Sequence, residues 1–142
     1  QFARVRVFGF VNTVDELTET VRAVGADGDL IEALRGNTRM QRGHRNSDYG
    51  MTFVDFVAHH LDAVTPRATL LVLGDARTNS TNPRYDALRT IVDEARHAFW
   101  LNPEAESQWG TGDSVATKYA EIIDMHECRT ITDLRDFVTK AL

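Results

Sequence analysis

The sequence predicts an α/β domain built on a mostly parallel sheet with helices on both faces. Three observations carry that reading. Residues 69–74 (Thr-Leu-Leu-Val-Leu-Gly) have an apolar centre without alternation, the mark of a strand covered on both sides. Before it, Phe53, Phe56, Val57, His60, Leu61 and Val64 recur at helical spacing as one stripe. Strand-like and helix-like segments then alternate to the end of the chain, an order that gives parallel strands with right-handed crossovers.

Each element has its own local signals. Residues 4–11 (Arg-Val-Arg-Val-Phe-Gly-Phe-Val) alternate and then turn apolar on both faces, as in a strand, which Asn12 and Thr13 break. Residues 14–24 fit either a short edge strand or a helical turn. Asp27-Gly28 is a turn signal. Asp29, with Glu32 three residues on, opens a short helix with Leu30, Ala33 and Leu34 on one side and Gly36 at its end. Residues 37–47 are a polar, Arg-rich loop. The stripe helix starts at Asp48 and closes at Pro66. After the strand at 69–74, Asn82-Pro83 leads into a helix with Leu88, Ile91, Val92 and Ala95 on one face. Residues 98–101 (Ala-Phe-Trp-Leu) form a short strand stopped by Asn102-Pro103. A polar loop around Trp109 spans 104–112. A short helix near 113–120 precedes a strand at 121–126, and a last helix from Thr130 or Thr132 buries Leu134, Phe137, Val138 and Leu142.

With 142 residues the chain is long enough for one domain, burying about two-thirds of its unfolded surface. Its 42% hydrophobic and 26% charged content place it among ordinary globular domains. A net charge of −5 argues against non-specific binding to nucleic acid or to an anionic membrane. Arg4, Arg6 and the arginines at 39, 42 and 45 are local exceptions, read as solvated or paired with acids. Cys128 is alone, which excludes an intrachain disulfide. No apolar run approaches membrane-spanning length. The chain opens on Gln1 and enters a strand almost at once, so a missing true N-terminus is expected.

Four phrases, in this order, carry a resemblance: Ser47-Asp48-Tyr49-Gly50 opening a helix, Leu73-Gly74-Asp75-Ala76-Arg77-Thr78-Asn79 ending a strand, Trp100-Leu101-Asn102-Pro103-Glu104, and Trp109-Gly110-Thr111-Gly112-Asp113-Ser114. From about residue 4 onward the chain resembles von Willebrand factor A domains of the bacterial CoxE type. The resemblance implies a Rossmann-like sheet with a metal-ion-dependent adhesion site at its carboxyl edge. In that family the metal is held by a first-strand Asp-x-Ser-x-Ser, a hydroxyl opening a later helix and an Asp ending the fourth strand. By position Ser47 matches the hydroxyl and Asp75 the strand-ending Asp. Such a set suits Mg²⁺ or Mn²⁺, hard cations that take oxygen ligands.

One part of the pattern is missing, for Asp-x-Ser-x-Ser occurs nowhere in the chain. The resemblance places the family's first strand centrally, between the strands at 4–11 and 69–74, so residues 1–142 read as an N-terminally truncated domain lacking it. Its loss leaves backbone groups unpaired on both neighbours. The missing strand is then expected from elsewhere, or the chain rearranges or dimerises through the unpaired edges. Ser47 and Asp75 alone predict no well-ordered metal.

Other readings stand beside the ligand roles. Asp75 also fits a turn carboxylate capping its local backbone, and Ser47 the N-cap of the helix from Asp48. Asp48 reads as a first-turn acid, with a second role in holding metal-bound water. His59 and His60 point about 100° apart on a helix and cannot share a metal; His60, on the stripe, reads as a hydrogen-bonded core residue. His44 falls in the Arg-rich loop, His97 at a helix end, and His126 near Cys128 without the signature of a catalytic dyad. Trp100 is expected in the core. Asn102 and Glu104 then emerge on the same edge as Asp75 as partner-contact candidates. Trp109 is a second surface candidate or a cover for the sheet end. The glycines at 110 and 112 lack the context of a phosphate loop.

The resemblance implies a non-catalytic interaction module in the bacterial cytoplasm. There it works beside a MoxR-type AAA+ ATPase in maturing, or inserting metal into, a client enzyme such as a carbon monoxide dehydrogenase. The alternative is a small Mg²⁺-dependent α/β hydrolase or phosphotransferase using Asp75. That chemistry needs a nearby lysine, and only Lys118 and Lys140 exist.

Overall fold

The computed structural model describes residues 4–25, 28–35 and 46–141. Arg39, Arg42, Arg45, His44, Gly36, Asp27 and Leu142 lie outside them. The first strand is shorter than the sequence pattern: β1 spans Phe8–Phe10 and pairs antiparallel with β2, Val14–Glu16. Asn12-Thr13 makes the turn, and Arg6 reaches across to Glu16 and Asp62. Residues 14–24 adopt both forms open to them, β2 followed by helix α1, Thr18–Val24. Helix α2, Leu30–Arg35, starts where Asp29 accepts the Glu32 N–H at 3.0 Å, but buries none of its residues.

Helix α3, Tyr49–His59, is the organising element. Its N-cap is Asp48, which accepts the Met51 N–H at 2.9 Å, so the capping role expected of Ser47 falls one residue later. The stripe is realised: Tyr49, Phe53 and Phe56 are buried, and a 3-10 turn at Leu61–Ala63 carries the chain to buried Val64. His60 rests on the Phe8 and Phe56 rings, contacts that stand where hydrogen bonding was expected.

Strands β3 (Thr69–Leu73), β4 (His97–Asn102) and β5 (Asp124–Glu127) form a parallel sheet in the order β3-β4-β5. Helix α4, Tyr85–Glu94, crosses from β3 to β4, and the short helix α5, Ala116–Tyr119, lies between β4 and β5. Trp100, on one face of β4, packs against Tyr49, Phe53 and Tyr119. Its neighbour Phe99, on the other face, meets Phe137 of helix α6, Ile131–Ala141. Helices therefore cover both faces, as the apolar strands require.

The strands fall into two sheets, as expected where the strand between them is missing: β1-β2 and β3-β4-β5 are separate, each resting on α3 through Phe10 and Trp100 against the Tyr49 ring. Two expectations are corrected. His97 does not end a helix but starts β4, stacked on Phe99. None of the described residues of α6 is fully buried, and Val138 is exposed because the contact with the sheet runs through Phe137.

Candidate functional site

Asp75 follows β3 at the carboxyl edge of the parallel sheet. Gly74 ahead of it is fixed twice, its N–H donating to the Leu101 carbonyl and its own carbonyl accepting Trp100 Nε1–H at 2.7 Å. Asp75 Oδ1 then accepts the Arg77 N–H at 3.0 Å, which is the turn role. The same oxygen accepts the Tyr49 hydroxyl at 3.1 Å. Burial, with the Asp75 charge adding to it, pushes the Tyr49 hydroxyl well above its ordinary value, so it remains a donor.

The turn after Asp75 is strained. Ala76 is buried at φ 58°, and Asn79 and Ser80 follow at 51° and 64°, in the left-handed region that side chains avoid. Cross-links to a second loop hold it. Val115 N–H donates to the Ala76 carbonyl, Thr78 N–H to the Asp113 carbonyl, and Asn79 N–H to Asp113 Oδ2.

Ser47 is reached from this loop. Asn79 Nδ2 donates to the Ser47 carbonyl at 2.8 Å, so the Asp75 segment and the Ser47-Asp48 segment are joined by two bonds, Asn79 to Ser47 and Tyr49 to Asp75. Beside them opens a cleft of about 460 Å³ whose lining includes Asn12, Ser47, Asp48, Met51 and Asn79. Asp48 serves as the helix cap through Oδ1.

The partner-contact candidates take different places. Asn102 is fully buried rather than on the rim, because both ends of its amide are used inside: Nδ2 donates to the Asp75 carbonyl and Oδ1 accepts the Glu104 N–H. Glu104 is half-buried against Arg77. Trp109 is half-buried too, packing on the core edge with Nε1–H bonded to the Glu104 carbonyl. Sequence reasoning missed Arg77 and Asp113. The Arg77 guanidinium grips Glu104 through Nε and Nη2 and Asp113 Oδ1 through Nη1, which holds the Asp113 carboxyl below the ordinary range. Their only sequence signal is their presence within the quoted phrases.

His126 sits between Phe99 and Phe137, with Nε2 3.2 Å from Asp124 Oδ1 but without hydrogen-bond geometry. Cys128 Sγ lies 4.0 Å from the Thr130 carbonyl, and burial raises its thiol.

The family described as VWA domain containing CoxE-like protein matches residues 1–137. The chain belongs to that CoxE-like family of von Willebrand factor A domains. No curated protein and no solved structure shows significant similarity to it.

Among the described residues of this CoxE-like domain, no three His, Cys, Asp or Glu side chains are grouped to hold a metal ion. Asp75 Oδ1 is already taken by two donors, leaving Oδ2 and the Ser47 hydroxyl as the matching oxygens. Two such donors fall short of the near-octahedral set Mg²⁺ requires, so these residues do not fit the ion by themselves. No helix among the described residues is long and apolar enough to cross a membrane.

Proposed function

We propose that the chain is a non-catalytic protein-interaction module whose contact edge is the carboxyl end of its parallel sheet. The observation that carries this reading is the pair of bonds joining Asp75 to Tyr49 and Asn79 to Ser47, which ties the two family-matched segments into one edge. In this reading the edge becomes metal-dependent when a strand from outside these residues supplies Asp-x-Ser-x-Ser oxygens beside Asp75 Oδ2 and Ser47. A Mg²⁺ or Mn²⁺ ion held there by Asp75, Ser47 and the added strand would supply the positive charge that attracts a carboxylate of the partner. The partner is a MoxR-type AAA+ ATPase or a client metalloenzyme under maturation, such as a carbon monoxide dehydrogenase, and the setting is the bacterial cytoplasm.

The hydrolase alternative finds less support, since Lys118 is paired with Glu121 and Lys140 lies on α6. Calorimetric titration of Mg²⁺ into the chain joined to an Asp-x-Ser-x-Ser strand tests the proposal. Saturable binding that Asp75→Ala abolishes, with an unchanged circular dichroism spectrum, is expected. Equal binding by Asp75→Ala would remove Asp75 from the site.

A further inference from the structure

The turn that leads away from Asp75 holds a shape that its own residues disfavour. Three of the four described non-glycine residues at positive φ lie in it: Ala76 at 58°, Asn79 at 51° and Ser80 at 64°. Side chains avoid this left-handed region, and it persists where the surroundings fix it.

The fixing bonds come from a second loop, and Asp113 supplies most of them. Its carbonyl accepts the Thr78 N–H at 3.1 Å and the Thr78 hydroxyl at 3.2 Å. Its Oδ2 accepts the Asn79 N–H at 3.1 Å and its Oδ1 accepts Arg77 Nη1–H at 2.9 Å. Three consecutive residues of the turn are thus bound by one residue 34 to 36 positions away. Val115 N–H adds a bond to the Ala76 carbonyl.

We propose that Asp113 is a positioning residue for Asp75: its carboxylate holds the turn in the strained form that orients the Asp75 side chain. Other groups around Asp75 fix different atoms. Asn102 holds the Asp75 carbonyl, and Leu101 and Trp100 hold Gly74, so β4 sets the backbone up to Asp75. The carboxylate is oriented from beyond it. Oδ1 accepts the Arg77 N–H across Ala76, whose φ of 58° brings that N–H back over the carboxylate. With Ala76 relaxed to an ordinary φ, this bond is lost and the Tyr49 hydroxyl is left as the other donor to Oδ1.

The two sides of the contact differ in kind. Gly110 at φ 81° and Gly112 at φ 60° bend the chain just ahead of Asp113, and glycine takes such angles without penalty. The strain therefore lies on the Asp75 side alone, where alanine, asparagine and serine carry it. The Asp113 loop acts as the template and the Asp75 turn is moulded on it.

This assignment deepens the contact-edge reading and rests on it for its functional meaning. Its test uses the 142-residue chain without metal or partner, so a failure to bind either leaves it standing. Amide hydrogen exchange at Arg77 reports the bond to Asp75, and exchange at buried Leu101 of β4 reports the fold as a whole. Asp113→Asn should quicken Arg77 exchange at least about tenfold beyond any change at Leu101. It should also move the carbon-13 resonance of the Asp75 carboxyl. Adding Ala76→Gly, which accepts positive φ, should slow Arg77 exchange again by about fivefold. A residue that merely adds stability would not be rescued by a glycine at the strained position. Arg77 exchange that changes only in step with Leu101, an unmoved Asp75 carboxyl resonance, or no recovery with Ala76→Gly overturns the assignment.

Discussion

The Tyr49 hydroxyl donates to Asp75 Oδ1 at 3.1 Å, linking the buried start of α3 to the open end of β3. Tyr49 also contacts Phe10, Phe53, Trp100 and Tyr119, so one ring touches both sheets and aims one oxygen at the carboxyl edge. The position of Asp75 is therefore set by the core as much as by its own turn.

Gly74 is the tight point of that arrangement, since a Cβ there would run into the Tyr49 hydroxyl. Gly74→Ala should cost about 1–3 kcal/mol by overpacking. Tyr49→Phe should cost about 1 kcal/mol for the lost hydrogen bond. Combining them should cost less than the sum, because the phenylalanine lacks the atom that clashes most closely; urea unfolding of the three variants measures the coupling.

Asn102 braces two backbone groups from inside the fold. Asn102→Ala strips the Asp75 carbonyl and the Glu104 N–H of their partner at a fully buried position. A loss of about 1–3 kcal/mol is expected in chemical denaturation.

Arg77 ties the Asp75 turn to the Trp109 loop through Glu104 and Asp113. These pairs are partly exposed, so Arg77→Ala should lower stability by only about 1 kcal/mol. Hydrogen exchange should quicken at residues 105–114 well beyond that global loss. Arg77→Lys should behave almost like the alanine variant, because a point charge cannot fork to both carboxylates.

The acid limb of stability should follow Glu16. Hydrogen bonds from Arg6, and then from Thr18, lower its carboxyl from 4.5 to about 2. A carboxylate depressed in the fold contributes fully above its unfolded value and loses that contribution as pH falls through the folded one. Stability should therefore decline between pH 4.5 and about 2, and Glu16→Gln should flatten the slope there. The pair is partly exposed, so raised salt should shrink the effect. Unfolding free energies measured across that window give the slope.

Much of this was legible along the chain. The stripe from Phe53 to Val64, the Asp29 cap, the β3 run and buried Trp100 each declare themselves within a few residues. What stayed hidden depends on distant pairs. Arg77 meets Glu104 and Asp113 across 27 and 36 residues, and Asn102 is buried because its partners sit on the turn after β3. The separation of β1 from β3 came from the resemblance and its missing strand, since hydrophobic pattern marks strands but not their neighbours. Ser47 lost its expected cap role to Asp48 by one residue, a margin that N-cap propensity cannot settle.

The measurement closest to the central claim is capture of a MoxR-type ATPase by the chain joined to an Asp-x-Ser-x-Ser strand, in Mg²⁺ and in EDTA, with Asp75→Ala alongside. Binding in Mg²⁺ that disappears both in EDTA and in Asp75→Ala, with the variant still cooperatively folded, is the predicted result. Binding that persists in EDTA or in Asp75→Ala would contradict a metal-dependent edge built on Asp75.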